Sequence, residues 1–77
     1  MTTTSFATAL KRARARRGLS QAGAGVYLAD ALLAPLRAHG LPPAEASSIT
    51  RSLQNWETGR YEPPPLLQGL VLQALEG

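Results

Sequence analysis

Seventy-seven residues carrying a net charge of +3 make one small domain, near the lower size limit for a chain that has no covalent or metal staple. The absence of cysteine excludes a disulfide framework and a thiolate metal site, and it is compatible with a reducing compartment. One histidine and five scattered acids (Asp30, Glu45, Glu57, Glu62 and Glu76) leave little from which to build a metal or acid/base centre, so no metal, cofactor or small-molecule substrate is expected.

The start, MTTTSFATAL, lacks a charged segment followed by an apolar block, so no secretion signal is expected. The most apolar run, Val26–Leu36, contains Asp30 and Pro35 and is too short to cross a bilayer. A cytoplasmic location without membrane contact is the expectation. Five of the eight cations, Lys11, Arg12, Arg14, Arg16 and Arg17, fall within seven residues. Such a cluster suits a polyanion, and equally a solvated helix end favoured by the helix dipole.

Thr4 or Ser5 is a good cap for a first helix reaching about Arg17, with Gly18 as its stop. Phe6, Leu10 and Ala13 line one face, and Arg14 lies at the edge of that stripe, so its head should be partly buried and in need of an anion. Ser20 should cap a second helix in which Gly23 and Gly25 each cost about 1 kcal/mol relative to Ala. Leu28, Leu32 and Leu36 repeat at i+4 with Leu33 beside them, a stripe fit for a core or for a subunit contact. Pro35 should end or kink this helix near Leu33–Ala34.

His39-Gly40-Leu41-Pro42-Pro43 is a break, with His39 read as a solvent-facing helix end rather than a ligand. Pro43 suits the first turn of a third helix from about Ala44 to Trp56. After Thr58-Gly59 comes an extended connector through Pro63-Pro64-Pro65, a stiff turn more than a polyproline ligand. A last short helix follows, built on Leu66, Leu67, Leu70, Val71, Ala74 and Leu75 and weakened by Gly69 unless packing compensates.

The stretch Ser47–Gly59 is the most informative. At a helical period Ala46, Ile49, Leu53 and Trp56 share one side, while Ser47, Thr50, Arg51, Gln54 and Asn55 share the other. The second side is almost wholly hydrogen-bonding, with one cation and no acid. A merely solvated face would mix Glu and Lys in i,i+4 pairs. Asn and Gln match donor and acceptor atoms on base edges, Arg grips guanine, and Thr offers a hydroxyl and a methyl, so these residues are read as a base-reading face.

Two separated strings, Arg14-x-x-x-Gly18-Leu19-Ser20-Gln21 and Leu53-x-x-Trp56-Glu57-x-Gly59-Arg60-x-x-Pro63, resemble the Cro/C1-type helix-turn-helix repressors, the xenobiotic-response-element family. The likeness covers residues 6–28 and 47–75. It implies an all-α, four- to five-helix, lambda-repressor-like domain that binds double-stranded DNA as a homodimer, bacterial or phage-encoded. It further implies a buried Arg14–Glu57 link, and phosphate contacts from Gln21 at the start of helix 2. Gly25 would allow a close helix crossing, with Leu28 and Leu53 in the core. Thr50, Arg51, Gln54 and Asn55 would face the major groove, and the loop at Thr58, Gly59 and Arg60 would offer amides and a cation to phosphate. Ser47, at the start of the reading helix, and Lys11 complete the expected phosphate contacts.

One departure is large. Positions 21 and 57 lie 36 apart, whereas two short helices and a tight turn need about 18 residues, so roughly 18 residues within 29–46 are extra. They either lengthen helix 2 or add a helix. The alternatives to DNA binding are a non-enzymatic protein–protein module and an antitoxin or phage factor that uses the same fold. An RNA binder lacks stacking platforms. An enzyme is the poorest fit, because no nucleophile–base pair appears and Gly23-Ala24-Gly25 has no preceding strand.

Overall fold

Ser5 opens the first helix: its hydroxyl accepts the Thr8 N–H at 3.3 Å. The computed structural model describes residues 5–76, and Thr4, the alternative cap, lies outside them. The described residues form five helices and no strand: α1 (Phe6–Arg16), α2 (Gln21–Ala31), α3 (Leu33–Ala38), α4 (Ala46–Glu57) and α5 (Pro65–Glu76). The protein is all-α. No described helix is long and apolar enough to cross a membrane.

Gly18 ends α1 at φ +66°, a left-handed conformation that lets the Leu19 N–H reach the Arg14 carbonyl at 3.2 Å. Ser20 caps α2 by accepting the Gly23 N–H at 3.0 Å. The break that follows lies at Ala31–Leu32, earlier than the expected Leu33–Ala34. Pro35 has no N–H to give the Ala31 carbonyl, and its ring collides with that same oxygen, so the helix fails four residues upstream of the proline. The ladder resumes with Leu36 N–H to Leu32 O at 2.9 Å, which leaves Pro35 in the first turn of α3, where a missing donor costs least. The extra residues thus add a helix, and His39 is the exposed cap at its C-terminus.

Pro43 is not in the first turn of α4. Helix α4 starts at Ala46, with Glu45 in the cap position and extended. Pro42 and Pro43 disfavour a helical conformation in the residues before them, residues 41–45 carry no regular secondary structure, and Ala44 packs on the core from this connector. Pro65 opens α5, Pro63 is buried, and the Gln68 side-chain amide donates to the Pro63 carbonyl at 2.8 Å. The three prolines are therefore a stiff turn.

Leu10 of α1, Leu28 of α2, Leu53 of α4, and Val71 and Leu75 of α5 are the largest fully enclosed core side chains. Leu32 and Leu36 join them, so the α2–α3 stripe is mostly interior. Leu33 departs from it at 44% exposed. The rings of Phe6 and Trp56 meet edge to face at 6.0 Å, joining α1 to α4. Gly69 is uncompensated, because a Cβ there would meet nothing within 4 Å. Gly69→Ala is therefore expected to stabilise the fold by about 0.5–1 kcal/mol, as the backbone-entropy cost of glycine is removed without a clash. A rise in the urea midpoint checks this, and an unchanged or lower midpoint contradicts it.

Candidate nucleic-acid interface

The C-terminal end of α4 is held by one dense polar cluster. Arg14 Nε donates to Glu57 Oε2 and Nη2 donates to Oε1, both at 2.7 Å, a two-pronged pairing that fixes both planes. Arg14 Nη1 also donates to the Leu19 carbonyl at 2.9 Å, tying the loop after α1 into the cluster. Glu57 is 4% exposed, so its charge is held almost entirely by these bonds. Bonding to Glu57 raises the Arg14 pKa above its ordinary value, partial burial works against this, and the charge of Glu57 adds to the rise. The expected half-buried cation has the expected anion.

The second support of α4 is its crossing with α2 at Gly25. A Cβ on Gly25 would lie 2.1 Å from Thr50 Oγ1 and 2.8 Å from the Ala46 carbonyl oxygen. The two backbones approach so closely that only glycine fits. Gly25 thus has the role anticipated for it, with Leu28 and Leu53 fully buried nearby.

These supports leave Ser47, Arg51, Gln54 and Thr58 in one exposed row along α4, spaced i, i+4, i+7 and i+11, with Asn55 half-buried at its edge. The row has two shallow polar depressions, one around Ser47, Ser48, Arg51 and Ser52, the other around Gln54, Asn55, Thr58, Gly59 and Arg60. Three expected assignments change. Thr50 does not share the open face: it is half-buried against Gly25 and its hydroxyl donates to the Ala46 carbonyl at 2.9 Å. It lies at the border of the two faces, and the close crossing draws it inward.

The loop after α4 has no free amides to offer. The N–H groups of Thr58, Gly59 and Arg60 already donate to the carbonyls of Gln54, Trp56 and Asn55, which closes the helix around Gly59 at φ +75°. The Thr58 hydroxyl is likewise committed, donating to Gln54 O at 2.9 Å with Asn55 O 3.1 Å away. What the loop presents is the exposed Arg60 side chain. Gln21, third, is half-buried and donates its amide to Glu57 Oε1 at 3.3 Å, so it belongs first to the ion-pair cluster. Ser47 and Lys11 are exposed, as a phosphate contact requires.

The basic cluster divides in the same way. Besides Arg14, Arg17 has a structural partner: its Nε donates to the Leu75 carbonyl, and its guanidinium lies 4.8 Å from the centre of the Tyr27 ring. Tyr27 OH in turn donates to the Ala74 carbonyl at 2.9 Å. Both side chains satisfy carbonyls at the C-terminal end of α5, where a cation also meets the favourable end of the helix dipole. Nothing in the spacing of Arg17 pointed to this, because Leu75 is 58 positions away. Lys11, Arg12 and Arg16 remain exposed. Among the described residues no group of three His, Asp or Glu side chains is placed to hold a metal.

Compared with family models, curated proteins and solved structures, the chain matches none. The likeness to Cro/C1-type repressors therefore rests on the two residue strings that carry it.

Proposed function

We propose that the protein is a sequence-specific DNA-binding regulator, most simply a repressor, of the Cro/C1 helix-turn-helix type, with α3 inserted between α2 and the reading helix α4. The observation that carries this reading is the row Ser47, Arg51 and Gln54, with Asn55 at its edge: exposed, acid-free and hydrogen-bonding, on a helix anchored at one end by Arg14–Glu57 and crossed closely at Gly25. Arg51 and Gln54 carry the base reading, with Asn55 beside them, while Lys11, Arg60 and Ser47 hold phosphates. The protein acts in the cytoplasm as a homodimer on a two-fold operator. Selection of genomic fragments by the purified protein tests this: enriched palindromic sites are expected, and retention without sequence preference contradicts it.

With such a site in hand, Arg51→Ala or Gln54→Ala is expected to lose about 1–3 kcal/mol of binding on the operator and little on random DNA. Lys11→Ala should weaken both alike and flatten the salt dependence. Titrations of both DNAs at several salt concentrations decide this. Equal losses on the two DNAs for Arg51→Ala and Gln54→Ala would remove α4 from the role of reader.

A further inference from the structure

We propose that the elbow between α2 and α3 is a two-fold interface with a second copy of this chain. Asp30 on α2 and Arg37 on α3 flank a shallow depression that also includes Leu33, Ala34 and Ala38. Leu33 is 44% exposed there, although its neighbours Leu32 and Leu36 are buried. Asp30 is the only acid in residues 1–44. Among the described residues the one ion pair is Arg14–Glu57, so Asp30 and Arg37 are exposed and neither is engaged in an ion pair.

The occupant follows from symmetry. A two-fold contact brings the same patch of both molecules together, so it must be its own complement. A patch with a central apolar side chain and one charge of each sign on its flanks meets this requirement. With the axis near Leu33 and Ala34, Asp30 meets the partner's Arg37, Arg37 meets the partner's Asp30, and the two Leu33 side chains are covered. The patch carries one charge of each sign, so two copies meeting there add no local like-charge repulsion to that of their net charges of +3. An acidic or a basic partner would leave one of the two charges opposed by its like.

This interface deepens the homodimer part of the proposed function, and its association is measured without DNA so that either idea can fail alone. Sedimentation equilibrium of the full chain, up to about 1 mM, should show a monomer–dimer equilibrium. Asp30→Arg and Arg37→Asp should each weaken self-association at least about tenfold, since each sets like charges across the axis twice. An equimolar mixture of the two variants should regain association, because both cross-axis pairs are then opposite in sign. Leu33→Glu should be a monomer with the native circular dichroism spectrum. A wild-type chain that is monomeric throughout overturns the proposal. So does a dimer indifferent to both charge reversals, or a mixture of the two variants that associates no better than either alone.

Discussion

Glu57→Leu, made alone, is expected to destabilise the protein by about 3–5 kcal/mol, because it strands the Arg14 guanidinium in a site built around a carboxylate. For a domain of this size that is a large share of the total stability. Arg14→Met should be comparably costly, since Glu57 is the more deeply buried partner and would be left with only the Gln21 amide at 3.3 Å. The double variant Arg14→Met, Glu57→Leu should recover much of the loss, as both desolvation costs then vanish together. Recovery should be incomplete, because the Leu19 carbonyl loses its Arg14 donor and the Gln21 amide its acceptor. Urea denaturation of the four proteins gives the coupling energy, and additive losses would show that the pair does not act as a unit.

Gly25→Ala is the second change expected to have a large effect, and here two effects oppose each other. Alanine in a helix gains about 1 kcal/mol over glycine in backbone propensity. Against this, the new Cβ would stand 2.1 Å from Thr50 Oγ1 and 2.8 Å from the Ala46 carbonyl oxygen. The hydroxyl can turn away, but the carbonyl belongs to the backbone of α4, and relieving that contact requires the helices to part. Separation of α2 and α4 loosens the packing around Leu28 and Leu53, both fully buried. Overpacking should win, with a net loss of about 1–3 kcal/mol. The Gly25→Ala, Thr50→Ala double variant should regain only part of it, because the carbonyl contact persists. A thermal midpoint for Gly25→Ala at or above that of the wild type would contradict the close crossing.

The Gly25 contact and the Arg14–Glu57 pair show where sequence reading succeeds in this protein. Arg14 stands on the edge of the Phe6, Leu10 and Ala13 stripe, and a cation so placed needs an anion whatever the rest of the fold. The resemblance then named Glu57. Helix starts at Ser5 and Ser20, and stops at Gly18 and Gly59, were legible because a cap or a left-handed turn depends on a few neighbouring residues. The apolar side of α4 was legible for the same reason: its period is local.

What escaped was set by contacts between distant parts of the chain or by backbone bonds that a residue string does not display. Thr50 lies between the two faces of α4, and its inward position is decided by how closely α2 crosses. The family resemblance implies a phosphate loop at Thr58, Gly59 and Arg60, yet their amides close the end of α4. Arg17 looks like one more member of a basic cluster until α5 brings the Leu75 carbonyl to it. The division of the leucine stripe, with Leu32 and Leu36 inside and Leu33 outside, depends on the direction α3 takes after the break at Ala31–Leu32. Pro35 makes that break necessary, but only the packing of α3 on the remaining helices decides which leucine is left facing water.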